Sequence, residues 1–371
     1  MMNMNINVNK KALANAVAIV LKAVPNKTTM NILENIMISA IGKEICLTAN
    51  DLELGISSGV DGEIIEQGKI CLDAKLFAEI VRKLPDGDIN IKIDEKNTAL
   101  IKCGKSKFTL AAKNADEFPL PQYVDAASEI TISELSLRDA IKQTIFCVNM
   151  EDQNKKLMSA LNFKIVGSVL SVTALDGHRI GIRNIKLAEE YPETEVNMPG
   201  KTMTELSKIL TGGIDDKVNI KLGNSSVAFK FGNTVVTSRL VEGNYFKVDQ
   251  MIAGDTPIHI SINRKDLIST VDRALTLVGA EKKPIILTKT ENSLSLSVKS
   301  VRGEMTEDIE LEDSSVDNIV IGINPKFIMD VLQAVETEVM HIYMCTPRAP
   351  LYIKDSSGDY LYLILPVTIN K

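Results

Sequence analysis

The chain has three histidines, His178, His259 and His341, and five cysteines, Cys46, Cys71, Cys103, Cys147 and Cys345. Only one histidine has a neighbourhood that invites a chemical reading. Asp176-Gly177-His178-Arg179 sets a carboxylate two residues before an imidazole, which looks like an acid–base pair. Asp-Gly is first a turn signal, however, and residues two apart in a turn rarely form a catalytic dyad. There is no GxSxG to supply a serine nucleophile, no GxGxxG or Walker loop to cradle phosphates, and no HExxH. The cysteines are isolated and odd in number, without a CxxC, so they read as reduced, buried thiols rather than a disulfide framework or a zinc site. The carboxylates show no metal-ligand spacing. The residues therefore point away from catalysis, metal and cofactor, and Asp176-Gly177-His178-Arg179 reads first as a turn.

The elements that would position such a turn recur. NKKALANAVAIVLKAV from Asn9, SLRDAIKQTIFCV from Ser136 and NRKDLISTVDRALTLV from Asn263 are alike, with Ala12, Asp139 and Asp266 in register at a spacing of 127. Segments beginning at Asp73, Pro199 and Asn324 align Lys75, Lys201 and Lys326 at 126 and 125, and the turn glycines Gly104, Gly232 and Gly358 lie 128 and 126 apart. A period this long is a domain, not a solenoid unit. The 371 residues are thus expected to form three similar domains, 1–127, 128–254 and 255–371. The linkers run through Pro121–Ser128 and through Ala253–Pro257.

Each repeat has the same plan. Leu13, Val17, Val20, Leu21 and Val24 fall at helical spacing, as do Leu76, Phe77, Ile80, Val81 and Leu84 before the stop at Pro85-Asp86-Gly87. Alternating segments such as Ile45–Ala49, Asp88–Ile93 and Lys107–Ala111 predict strands. Two helices and two small antiparallel sheets per domain make an α+β fold.

The net charge is −6, with 45% hydrophobic and 24% charged residues. This is ordinary for a globular protein, but acidic for one that grips nucleic acid by static phosphate contacts. The charge is uneven. The six expected helices together carry +6, which leaves −12 on the rest of the chain. Mildly basic helices on one surface would face a polyanion loosely, while an acidic exterior would keep other surfaces away from it. No apolar run approaches a membrane span, and Met1–Lys11 lacks the apolar core of a secretory signal, so a cytoplasmic, membrane-free protein is expected.

These features converge on Ala174-Leu175-Asp176-Gly177-His178-Arg179-Ile180 within a triplicated chain of this length. Further matches are Asn50–Leu54, Leu84–Gly87, Ser238–Gly243 and Ile364–Val367. The chain resembles the beta-subunit family of bacterial DNA polymerase III, the DNA sliding clamps. The resemblance implies a clamp fold and a head-to-tail homodimer that closes a six-domain ring. That ring would encircle double-stranded DNA, its helices lining the hole, as a processivity factor without catalytic activity. It also implies a hydrophobic pocket for short motifs of the polymerase III alpha subunit, the clamp loader and other clamp-binding proteins.

Matched residue by residue, the pocket comprises Met158, Leu175, Gly177, His178, Arg179, Ile180, Met251, Asn324, Phe327, Pro350, Leu363, Leu365, Pro366 and Val367. The family often has Phe-Pro-Asp-Tyr where this chain has Tyr245-Phe246-Lys247-Val248, and the tail here is Thr368–Lys371. The candidates for facing DNA are Lys10, Lys11, Lys22, Lys27, Lys75, Arg82 and Lys201. For ring closure, the late strand of repeat one, with Lys105 and Lys107, is basic. The region of repeat three read as its counterpart, with Glu304, Glu307 and Asp308, is acidic. Two complementary edge strands would satisfy each other's open backbone groups. The family adds Phe108 and Leu110 against Leu277. Two readings compete: a self-associating structural protein without DNA-dependent behaviour, and a metal-dependent nuclease or hydrolase built on dispersed carboxylates.

Overall fold

The computed structural model describes residues 4–94, 97–150, 155–252, 256–281, 283–291 and 293–369. Ala253–Asp255 of the second expected linker and the last two residues of the tail lie outside these. Six α-helices are present among them: α1 (Lys10–Val20), α2 (Ala74–Lys83), α3 (Glu134–Thr144), α4 (Gly200–Ile209), α5 (Arg264–Val278) and α6 (Pro325–Ala334). Each falls on a repeated segment. Asn9, Asp73, Asn263 and Asn324 cap α1, α2, α5 and α6 by accepting amide hydrogen bonds, of 2.8 Å at Asp73 to Leu76 and 3.0 Å at Asn324 to Lys326. An Asx side chain at this place satisfies amides the helix cannot.

Both predicted stripes need adjustment. α1 ends at Val20 and tightens into a 3-10 turn over Leu21–Ala23, so Val24 lies beyond the helix. On α2 the buried face is Ala74, Phe77, Ile80 and Val81, while Leu76 is 47% exposed. Leu76 stands one position off the 77–80–81 stripe and faces outward.

The described strands form four antiparallel sheets of five, eight, seven and four strands. The small sheets do not stay within their repeats. In the eight-stranded sheet, Thr234–Arg239 of repeat two pairs with Leu54–Val60 of repeat one, Val236 lying opposite Ile56. In the seven-stranded sheet, Tyr360–Ile364 of repeat three pairs with the start of Arg179–Pro199 of repeat two, Tyr362 opposite Gly181. The two pairings share one register: Val236 and Tyr362 are 126 apart, Ile56 and Gly181 are 125 apart. The last strand of each repeat thus joins a hairpin strand of the repeat before it.

Two strands of these types have no such partner. Ser106–Ala111, the last strand of repeat one, is an edge of the five-stranded sheet. Gly303–Glu310, a hairpin strand of repeat three, is an edge of the four-stranded sheet. This corrects the sequence reading of Glu304–Glu310. Its counterpart in repeat one is Leu54–Val60, whereas the counterparts of Ser106–Ala111 are Thr234–Arg239 and Tyr360–Ile364. The three turn glycines that marked the period all have left-handed backbone, at φ 53°, 48° and 77°, a conformation favourable only for glycine.

By packing, the chain divides into two compact units, Met1–Leu135 with Lys208–Leu240, and Ser136–Ser207 with Val241–Lys371. The five- and eight-stranded sheets belong to the first. In the second, α5 and α6 pack together over a core that includes Leu267, Val271, Leu296, Ile321, Ile328 and Leu332.

Candidate functional site

The second unit holds all of the predicted pocket residues, and its organising feature is the turn between the two long strands Ala160–Leu175 and Arg179–Pro199. The Asp176 carboxylate accepts the backbone amides of His178 at 2.9 Å and Arg179 at 3.0 Å. Gly177 supplies φ 88°. The carboxylate that resembled a general base is therefore engaged in shaping the turn.

Arg179 is buried, at 8% exposure, and every part of its guanidinium is engaged. Nε donates to Asp176 at 3.0 Å, and Nη1 to Asp330 of α6 at 2.5 Å. Nη2 donates to the carbonyl of Phe146. Its carbon lies 4.4 Å from the Phe327 ring centroid and 5.4 Å from that of Phe146. Burial disfavours the charge, but the hydrogen bond to Asp330 and the surrounding anionic groups outweigh it and hold the guanidinium pKa above its ordinary value. The His178 ring stacks on Phe327 at 6.3 Å.

The floor beside this turn is apolar. Leu175, Ile180 and Leu363 pack with Tyr245, Val248 and Tyr352, and Met158 lies against the same cluster. Leu365 donates its amide to the His178 carbonyl at 2.8 Å, and Val367 donates to Gly322 at 2.8 Å. A side chain at Gly322 would come within 2.7 Å of the Val367 oxygen, so glycine is what lets the tail lie down here. Leu365 and Val367 remain 39% and 37% exposed, and Pro366 is half-buried. Asn324 contributes by capping α6.

The predicted residues thus meet around one turn, one helix start and one tail, with two exceptions. Met251 is 46% exposed at the end of the Val248–Met251 3-10 turn, and it is Val248 that enters the cluster. Pro350 is half-buried just before Leu351–Lys354 and is not a member of the apolar cluster. Phe146 and Asp330 were missed. Asp330 was within reach, standing three residues after Phe327 on the same helical face. A separate concavity of about 890 Å³, lined by Asn162, Asn197, Phe246 and Lys354 among others, contains none of the predicted residues. Asn162 and Asn197 there are hydrogen-bonded to each other and to Glu195, Val241 and Gly243, a structural network.

The DNA-facing candidates Lys11, Lys22, Lys27, Lys75, Arg82 and Lys201 are exposed. Lys75 and Arg82 flank a groove whose other wall is Ala14, Val17 and Ala18 of α1 with Leu21 of the 3-10 turn that follows it. Lys10 is half-buried and pairs with Asp86 at 3.3 Å.

The edge candidates separate by face. Phe108 and Leu110 lie opposite the buried Ile101 and Ala99, whereas Lys107 lies opposite Lys102 on the outer side. On the other edge, Glu304, Thr306, Asp308 and Glu310 are exposed, and Ile309 is buried on the opposite side. Glu307 shares the side of Ile309. There it is held by Arg273, whose Nε donates at 2.9 Å, and by Thr270 at 2.8 Å. It is therefore spent on α5 rather than displayed with its acidic neighbours. Leu277 is half-buried behind Gly303.

The N-terminal, central and C-terminal domain patterns of the DNA polymerase III beta subunit match residues 4–122, 131–247 and 249–368. A beta sliding clamp of Bacillus subtilis (strain 168) is 31% identical over 380 residues, covering 98% of this chain and 99% of the relative. The chain belongs to the DNA polymerase III beta-subunit family. A beta sliding clamp of Staphylococcus epidermidis is also 31% identical, over 94% of each chain. Among solved structures, a DNA polymerase III beta subunit of Eubacterium rectale aligns with TM-score 0.95 at 45% identity, over 99% of this chain and 100% of its own. The Bacillus subtilis sliding clamp aligns at 0.94 and 31%, with the same coverage. The fold described above is the three-domain clamp fold of the beta-subunit family.

Proposed function

We propose that this chain is the processivity clamp of DNA replication. Two copies close head to tail into a ring that encircles duplex DNA. The ring tethers the polymerase III alpha subunit, the clamp loader and other clamp-binding proteins through the pocket around Asp176–Ile180. The three domains run 1–127, 128–254 and 255–371, the basic helices face the DNA, and the chain performs no catalysis.

The observation that carries this reading is the pair of orphan edges. Within the chain, the last strand of each later repeat docks on a hairpin strand of the repeat before it. Among the described residues, only the last strand of repeat one and the hairpin strand of repeat three lack such a partner. Pairing them between two copies extends the same rule and leaves neither edge open. With the register of the internal junctions carried over, Phe108 lies opposite the partner's Met305. Lys107 then lies opposite the partner's Thr306, diagonal to the partner's Glu304 and the partner's Asp308. Leu110 lies opposite the partner's Gly303, in front of the partner's Leu277. Apolar residues meet on one face and opposite charges on the other, which gives the contact both adhesion and orientation.

The experiment is retention on DNA. The protein is loaded by a clamp loader onto nicked circular plasmid, washed in high salt, and the plasmid is then linearised. A ring stays on the circle and slides off the linear form. Salt-sensitive binding to both forms equally would mean an ordinary electrostatic binder. No association with a competent loader present would favour the self-associating structural protein.

A further inference from the structure

The Arg179 cluster does more than fill space at the second repeat junction. Arg179 belongs to the turn that ends repeat two's hairpin, while Asp330 and Phe327 stand one helical turn apart on α6 of repeat three. One guanidinium therefore bonds Asp330 at 2.5 Å and stacks on Phe327 at 4.4 Å. Its other carboxylate, Asp176, lies in the same turn as Arg179 and cannot hold α6. The Phe146 carbonyl fixes the remaining guanidinium nitrogen from a third segment, so the side chain has no freedom left.

The first repeat junction lacks this arrangement. The places of Arg179, Phe327 and Asp330 are taken there by Leu54, Thr202 and Glu205, with neither guanidinium nor ring. The clamp is thus a property of the junction that carries the pocket, not of the repeat.

We propose that Asp330 is a positioning residue for partner docking: through Arg179 it fixes the Phe327 ring as a preformed wall of the pocket. This rests on the docking reading given above. Asp330 need not touch the partner. It ties Arg179 to α6, Arg179 stacks on Phe327, and Phe327 meets His178 at 6.3 Å. A pocket whose wall is already in place loses less freedom when an apolar side chain enters.

The test uses the full chain and two readouts. Binding of the polymerase III alpha subunit is measured by surface plasmon resonance, and the environment of Phe327 by fluorine NMR with 4-fluorophenylalanine at that position. Asp330→Asn is expected to weaken binding about tenfold and to broaden or split the fluorine signal without a partner present. Asp330→Glu recovers most of both. In an Arg179→Met background, Asp330→Asn adds no further loss. The proposal is overturned by an unchanged fluorine signal in Asp330→Asn, by binding within about twofold of the parent, or by an equal loss in the Arg179→Met background. If the parent itself fails to bind the alpha subunit, the docking reading falls, and the fluorine signal still decides whether Asp330 positions Phe327.

Discussion

Leu52 and Gly177 occupy the same place in consecutive repeats, and both have left-handed backbone, at φ 76° and 88°. The turn geometry is carried by Asn50 and Asp51 in one repeat and Asp176 in the other, whose side-chain oxygens accept the following amides at 2.7–3.0 Å. Both repeats have the same backbone shape here, but only the second has the residue suited to it. A leucine in this conformation costs roughly 1–2 kcal/mol.

Leu52→Gly should therefore not destabilise the protein. Relief of that strain exceeds or matches the roughly 0.5–1 kcal/mol that glycine's looser unfolded chain costs. Leu52 is 44% exposed, so little packing is lost. The expected change is between zero and about 1.5 kcal/mol of stabilisation, read from thermal and urea unfolding. A drop of several kcal/mol, typical of an emptied core leucine, would refute the strain.

Ring closure should respond to charge at the two edges. Lys105→Glu with Lys107→Glu should shift the assembly from dimer to monomer in sedimentation velocity, most clearly at low salt where exposed charges are least screened. Adding Glu304→Lys and Asp308→Lys should restore the dimer. A four-fold variant as monomeric as the two-fold one would mean that the edges do not meet.

Pocket and ring should be separable. Replacing Pro366 and Val367 with Asp places charge on a tail whose backbone lies between His178 and Gly322. Alpha-subunit binding should be lost while the dimer persists, since neither residue lies on an orphan edge. Dissociation of the dimer in this variant would show that the two surfaces are coupled.

The edge strand Gly303–Glu310 should loosen in acid. Hydrogen bonds from Arg273 and Thr270 hold the Glu307 carboxyl below its ordinary range. A lowered folded pKa stabilises above the unfolded value and ceases to do so as pH falls through the folded one. Hydrogen exchange of this strand should therefore differ between the parent and Glu307→Gln at pH 7, and the difference should vanish in acid. A difference that persists at low pH would assign the contact to shape rather than charge.

Thiol reactivity should follow burial. Cys71 is fully buried, which pushes its thiol up to about 12, and burial also raises that of Cys147. Both should resist iodoacetamide near neutral pH and become labelled once urea opens the chain, as read by mass spectrometry of peptides. Labelling of either in the native protein would indicate local opening at that site.

Much of this protein was legible in its sequence because the signals are local. Caps such as Asn9 and Asn324, the apolar stripe through Phe77, Ile80 and Val81, and the turn glycines Gly104, Gly232 and Gly358 act within a few residues of themselves. Repeated three times, they reveal the period. The Asp176–Ile180 turn, too, declares itself locally. What only the tertiary structure decided was which element lies beside which. Strand pairing is made by backbone groups common to nearly all residues, so nothing in the side chains marks Thr234–Arg239 as the neighbour of Leu54–Val60, or Ser106–Ala111 as a sheet edge. The same limit hid the fate of individual charges. Glu307 looked like one acid among several until α5 brought Arg273 against it. That Arg179 is a pocket residue could be read, but not that Asp330, Phe146 and Phe327, from two other parts of the chain, close around it. An ion pair or a ring stack depends on distance in space, and separation along the chain does not contain that distance.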